Sequence, residues 1–257
     1  MRDVLAILIM RGLKFLANFN VAKENLCKFK GEAVIDCQNF GLLRRSGILV
    51  IPNFLDSVTC HLALNEIETF YQNDSRRDRS NPDYRIYNSE LILDCGRKFF
   101  SNERLLEIGT NYIGTRMINK SCLANRVQAG PSDSGSGGGW HRDSNFPQFK
   151  ALVYLSDVET SQNGAFQYIR DSHKFKNFVR DTILKRRNTS MTRWDDTDIG
   201  KVYGSNQIMS VLGAAGTLVL FDTCLIHRGA PNSNLMNSNR YALTNYYYSK
   251  FAKFGNF

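Results

Sequence analysis

The chain predicts a mainly β fold, a sandwich or jelly roll, with helices flanking it. Three observations carry that expectation. From Cys122 onward the sequence breaks into many short strand-like runs bounded by turns. No strand–helix–strand alternation runs through them, so a parallel α/β sheet is not indicated. Aromatic residues make up 12% of the 257 residues, a generous share that suits a β-rich core. The length is enough for one large domain with a real hydrophobic core.

Taken in order, residues 1–46 read as a helical extension packed on the core, and 47–257 as a single structural unit. Residues 4–10 form a continuous apolar run, with Arg2 before it and Arg11 and Lys14 after it. That run falls far short of the roughly 20 residues needed to span a bilayer. No small-residue cleavage site follows, which argues against a signal peptide. Leu5, Leu8, Ile9, Leu13 and Leu16 share one helical face. Packing on the domain is expected, with docking of this basic amphipathic helix on a membrane surface as the alternative.

Gly47 breaks the pattern, and 48–51 is a short apolar strand stopped by Pro52. Asp56 and Ser57 are N-cap candidates for a helix with Val58, Leu62, Ile67, Phe70 and Tyr71 as its apolar positions. A polar loop at 73–83 precedes strand-like pieces at 84–87 and 91–93. Ser101 is placed to cap another helix through Leu105, Ile108 and Tyr112, ended by Gly114. Further strands are expected at 122–129, 140–143, 150–157, 165–169, 207–212, 217–222 and 240–248. Asn163-Gly164 marks a tight turn between two of them. The interruption at 174–206 holds a helix at 175–187 and a polar stretch at 189–205, placed to cover the mouth of a barrel.

The formal charge of +9 raises nucleic acid, anionic membranes and acidic small molecules as partners. The basic residues are scattered, however, and no nucleic-acid motif accompanies them. A solvated basic surface is the simpler reading. Cys27, Cys37, Cys60, Cys95, Cys122 and Cys224 form no C-x-x-C pair. That argues against a structural zinc site and a dense disulfide framework, and for reduced thiols in a cytoplasmic protein.

Chemistry concentrates at Trp140-His141-Arg142-Asp143-Ser144, after a Gly/Ser-rich loop. In an extended run His141 and Asp143 point one way and Arg142 the other. One imidazole and one carboxylate then converge. A second histidine would complete the 2-His-1-carboxylate face of non-haem Fe(II) oxygenases. Of the remaining histidines, His61 lies in a helix and His173 follows a turn. His227 ends the apolar run 217–227, where a third ligand is wanted, and Arg240 follows it.

The chain resembles the phytanoyl-CoA dioxygenase-like branch of the Fe(II)/2-oxoglutarate oxygenases. Residues 47–56 (GILVIPNFLD) look like the opening strand and helix start, and 140–144 (WHRDS) match the W-H-x-D block. Residues 150–174 look like the strand, Asn-Gly turn, strand and Ser-His-Lys block, and 217–240 match the closing block. The resemblance implies a double-stranded β-helix (jelly-roll, cupin-like) core. It implies Fe(II) held by His141, Asp143 and His227, and 2-oxoglutarate gripped by Arg240 through two charge-assisted bonds. With O2, the resemblance implies hydroxylation of an unactivated C–H bond with release of succinate and CO2. Related halogenases replace the metal carboxylate by a small residue; Asp143 is retained here, which favours hydroxylation or a related oxidation over halogenation.

Arg126 and Gln128 share one face of the strand before the Gly/Ser loop, and Tyr154 lies on the strand after the ligands. All three are candidate cosubstrate contacts. Arg193 and Trp194 are candidates for meeting substrate. Two positions depart from the family pattern, Arg170-Asp171 before Ser172-His173 and Ala242 two residues after Arg240. The alternatives are a catalytically silent jelly-roll binding protein and a cupin-type metalloenzyme without 2-oxoglutarate, which would not need Arg240. The partner is expected to be a small molecule, with the basic surface favouring an anionic one.

Overall fold

A computed structural model describes residues 36–78, 80–129, 137–143, 148–185, 192–233 and 239–249. The apolar helix expected near the N-terminus lies outside these residues. Helix α1 (Cys37–Ser46) begins at Asp36, whose side chain accepts from the Asn39 N–H, and ends at Gly47 with φ 72°. Only glycine takes that left-handed position without a Cβ penalty. Strand β1 (Ile48–Ile51) follows at once.

Helix α2 (Ser57–Asn73) starts at the expected Asp56 cap, which accepts from the Thr59 N–H. Its buried residues are Cys60, Ala63, Ile67 and Tyr71. They recur at helical spacing on one face. Val58 and Leu62, expected on that face, fall on the opposite one and are 67% and 64% exposed.

Strand β2 (Asp83–Ile86) leads to a 3-10 turn (Ser89–Leu91) and helix α3 (Asp94–Phe100), where a strand over 91–93 was expected. The cap of α3 is remote. The Glu66 carboxylate on α2 accepts from the N–H groups of Asp94 and Cys95 at 2.6 and 2.9 Å. Helix α4 (Glu103–Ile113) is capped by Asn102 rather than Ser101 and ends at Gly114.

The remaining elements are β3 (Met117–Val127), β4 (Trp140–His141), β5 (Phe149–Tyr154), β6 (Phe166–Ile169), α5 (Phe175–Lys185), β7 (Arg193–Trp194), α6 (Asp196–Val202), β8 (Ile208–Val211), β9 (Leu218–Asp222), β10 (His227–Gly229) and β11 (Arg240–Ser249). Among the described residues the strands form two sheets, a six-stranded one ordered β1-β9-β5-β11-β3-β2 and a five-stranded one ordered β7-β4-β10-β6-β8. All pairings are antiparallel. This is the jelly roll that the strand pattern predicts.

Strands β5 and β9 are buried at every residue, and their alternation separates two cores. Phe149, Ala151, Val153, Leu218 and Leu220 face the helices. Leu152, Tyr154, Val219 and Phe221 face the second sheet. Helix α4 seats on β5 at Gly109, where a Cβ would stand 2.7 Å from the Phe149 ring. Full burial of Phe149 contributes roughly 1.5–3 kcal/mol. A third cluster, with Trp140, Trp194, Ile199 and Ile226, packs α6 against the five-stranded sheet. Among the described residues no helix is long and apolar enough to cross a membrane.

Candidate metal centre

The chain passes between the sheets after β4 and again after β9, and the candidate ligands sit at these crossings. Strand β9 ends at Asp222. Its Oδ1 accepts from the Cys224 N–H at 2.8 Å and its Oδ2 from the Tyr112 hydroxyl at 3.0 Å. The resulting turn carries the chain into the five-stranded sheet. His227 therefore opens β10 rather than ending a long apolar strand. Strand β10 pairs with β4 and sets His227 directly opposite His141. Their ring centroids are 4.5 Å apart.

Regular pairing of β4 stops at His141, yet Asp143 still turns its carboxylate to both rings. Its Oδ1 is 3.6 Å from His141 Nε2 and its Oδ2 is 3.4 Å from His227 Nε2. One donor atom from each of the three residues lies within 4.8 Å of the others.

The tautomers follow from the backbone. His141 Nδ1 is 2.8 Å from the Gly139 carbonyl and His227 Nδ1 is 2.9 Å from the Leu225 carbonyl. A carbonyl only accepts, so both Nδ1 atoms donate and Nε2 is the ring atom that each histidine turns to the centre. Burial holds the His227 imidazole down to about 3, against the opposing pull of Asp143. It is neutral across the physiological range, as a metal ligand must be. Lys150 Nζ donates to Asp143 Oδ1 at 2.7 Å and lies 4.2 Å from the Tyr246 ring centroid. Burial works against the charge of Asp143, but the Lys150 ammonium holds its carboxyl well below the usual range. Two imidazole nitrogens and a carboxylate are the donor set that suits divalent iron, and the three residues fit one ion.

The centre opens on a cavity of about 310 Å³. One wall is the inner face of the six-stranded sheet, with Leu123, Asn125, Lys150, Leu152, Phe221, Arg240 and Thr244. Phe166 and Arg193 line it from the other sheet. Arg240, first residue of β11, is 3% exposed. Its Nη2 donates to Asn125 Oδ1 at 2.6 Å, while its Nε has no partner. Burial lowers its pKa. No carboxylate of the described residues forms an ion pair with it, an arrangement that suits an anionic ligand.

The other sequence candidates are placed differently. Arg126 faces away from the cavity: its Nε donates to Glu68 at 2.9 Å and its guanidinium lies 4.1 Å from the Tyr71 ring centroid. Gln128 is exposed beyond the end of β3 and does not line the cavity. Alternation on β3 turns Leu123 and Asn125 inward instead. Tyr154 lies between the sheets, but its hydroxyl accepts from the Phe166 N–H at 2.8 Å and donates to the Val211 carbonyl at 3.1 Å. It ties β5 to β6 and β8 and is not part of the cavity wall.

Arg193, cross-strand partner of His141, lines the cavity. Trp194 is buried in the third cluster, and exposed His61 contacts Asn65. Arg142, the middle residue of the block, points away from the metal centre. It donates to the Cys224 and Ser172 carbonyls and to Asp181 at 2.7–2.8 Å, bracing both ligand-bearing segments against α5. Lys150 and Asn125 were not singled out from sequence. The signal was present in both cases, since Lys150 is in phase with Tyr154, and Asn125 is one residue from Arg126.

Comparison with known proteins places these features in a family. The sequence model described as phytanoyl-CoA dioxygenase matches residues 43–236. A comparison with curated proteins found no match. Among solved structures, HygX from Streptomyces hygroscopicus with nickel and 2-oxoglutarate bound is 20% identical, with a TM-score of 0.64, covering 86% of this chain and 89% of that one. The epimerase SnoN in complex with Fe3+, alpha ketoglutarate and nogalamycin RO is 16% identical, with a TM-score of 0.63, covering 82% of each chain. The carbocyclase SnoK from nogalamycin biosynthesis is 16% identical, with a TM-score of 0.59, covering 84% of this chain and 87% of that one. These three share the fold. On the family match over most of its length, the chain belongs to the phytanoyl-CoA dioxygenase family.

Proposed function

We propose that the protein is an Fe(II)- and 2-oxoglutarate-dependent dioxygenase that hydroxylates an unactivated C–H bond of a small molecule. The observation that carries this reading is one cavity with two features on its walls. Three candidate ligands converge at one place, and a buried arginine that pairs with no carboxylate among the described residues stands at another. A silent binding module has no use for both. Arg240 disfavours a metalloenzyme without a 2-oxo acid, because an unpaired buried guanidinium is costly unless a ligand pairs with it.

Bound iron supplies dioxygen activation coupled to oxidative decarboxylation of 2-oxoglutarate to succinate and CO2. The chain's own residues do the rest. His141, Asp143 and His227 would hold the metal, and the Gly139 and Leu225 carbonyls fix the two imidazole rings. Arg240 orients the far carboxylate of the cosubstrate. Leu123, Leu152, Phe166 and Phe221 supply the apolar part of a wall that also carries Arg85, Lys150, Arg193 and Arg240. Cys60, Cys95, Cys122 and Cys224 are free thiols, in keeping with a reducing, cytoplasmic setting.

The test is succinate release from 2-oxoglutarate by the iron-loaded protein, screened over small molecules with and without anionic groups. Products are scored for gain of one oxygen, and also for stereoinversion and ring closure, since SnoN and SnoK are an epimerase and a carbocyclase. Substrate-stimulated succinate with an oxygenated product supports hydroxylation. Absence of any 2-oxoglutarate turnover by iron-loaded protein refutes the reading.

A further inference from the structure

We infer that Asn125 is a positioning residue that aims Arg240 at the cosubstrate through a neutral amide, leaving the guanidinium charge unneutralised; this rests on the function proposed above. Four side chains form a line across three neighbouring strands. Arg85 on β2 donates to Asp83 Oδ2 from Nε and Nη2, at 2.8 and 2.5 Å. Asp83 Oδ1 accepts from Asn125 Nδ2. Asn125 Oδ1 accepts from Arg240 Nη2 at 2.6 Å. The register sets this line: Arg85 is opposite Asn125, Asn125 opposite Ala242, and both Asp83 and Arg240 are opposite Val127.

The amide orientation is forced. A carboxylate only accepts and a guanidinium only donates, so Oδ1 must face Arg240 and Nδ2 must face Asp83. The charges do not close. Two guanidinium groups and one carboxylate leave one positive charge, and Asp83 is already matched by two bonds from Arg85. Asn125 and Arg240 are 4% and 3% exposed, so water does not screen that charge. A carboxylate at position 125 would hold Arg240 in the same place but would form an internal ion pair. A ligand carboxylate would then have to displace it. The amide gives orientation without that competition.

The test uses the full-length protein loaded with Ni(II), which does not turn over, and titrates 2-oxoglutarate calorimetrically into wild type, Asn125→Asp and Asn125→Leu. Nickel affinity and thermal denaturation are measured in parallel. The inference predicts that Asn125→Leu, which loses the aiming bond, binds 2-oxoglutarate about tenfold more weakly. Asn125→Asp, which keeps the acceptor but neutralises Arg240, binds it about 100-fold more weakly. Both keep nickel affinity within about twofold. The aspartate also sets a carboxylate against Asp83, so a purely structural role shows as a loss of thermal stability and nickel affinity that tracks the loss of 2-oxoglutarate binding across both variants. An Asn125→Asp protein that binds as well as or better than Asn125→Leu overturns the inference. If Asn125→Asp does not fold, Asn125→Leu decides: tenfold loss with nickel binding intact supports the inference, and unchanged affinity overturns it. Wild type that binds nickel but no 2-oxoglutarate removes the proposed function itself, a separate outcome.

Discussion

Replacing Arg240 by methionine separates a functional charge from a structural one. Methionine keeps the unbranched stem and removes the guanidinium. On the ligand side, two charge-assisted bonds to a carboxylate are lost, at roughly 1.5–2 kcal/mol each. The sum, about 3–4 kcal/mol, raises the dissociation constant for 2-oxoglutarate by about 10²- to 10³-fold. On the stability side two effects oppose. Asn125 Oδ1 loses the donor that now stands at 2.6 Å, which costs about 1–3 kcal/mol. A buried charge with an unpartnered Nε disappears, which returns a comparable amount. The net change is within about 1–2 kcal/mol of zero, or a Tm shift of a few degrees for a chain of this size. Calorimetric titration of the nickel-loaded protein and thermal denaturation of the metal-free protein read the two sides. A collapse of the fold, or 2-oxoglutarate binding at wild-type affinity, would refute the reasoning.

Three further outcomes follow from the same geometry. Lys150→Met leaves the Asp143 carboxylate without its cation at 2.7 Å, so the metal-free protein loses about 2–3 kcal/mol, while a bound metal ion supplies the missing charge. The metal-induced rise in Tm is therefore larger in Lys150→Met than in wild type, and an equal rise counts against it. The His227 imidazole is held at about 3 in the fold against 6.5 when unfolded, so the unfolded chain takes up the proton first as pH falls. Stability from this group is complete above pH 6.5 and declines below it, by about 2 kcal/mol at pH 5 in urea denaturation of metal-free protein. That pH-dependent loss is absent from His227→Asn; a wild type as stable at pH 5 as at pH 7.5 sinks the assignment. Gly47→Ala puts a Cβ 2.7 Å from the His173 ring at φ 72°, which costs about 2 kcal/mol and lowers Tm by several degrees. An unchanged Tm contradicts the packing of α1 against that loop.

What the sequence made legible has a physical pattern. Features set by neighbouring residues were readable: the Asp56 cap, the Gly47 and Gly114 stops, and the shared face of His141 and Asp143. Helix α3 was not, because its N–H groups are capped by Glu66, 28 residues away, and Leu93 at its N-cap gives no local signal. The inward face of β3 was assigned by residue chemistry, and Arg126 is the more conspicuous residue. Its phase is set by Glu68 and Tyr71 on α2, which draw the guanidinium outward and leave Asn125 inside. Tyr154 was read with the correct strand, but the backbone groups that occupy its hydroxyl belong to β6 and β8. The convergence of His141, Asp143 and His227 was readable because residue types that can ligate a metal are few and chemically constrained.

The most direct test of the central claim is the visible spectrum of the protein under strict exclusion of air, with Fe(II) and 2-oxoglutarate added in turn. The account predicts a weak charge-transfer band when both are present. The band is absent from His227→Ala, which lacks a ligand, and weakened in Arg240→Met at the same 2-oxoglutarate concentration. A wild-type protein that is folded and binds iron yet gives no band at saturating 2-oxoglutarate would contradict the account.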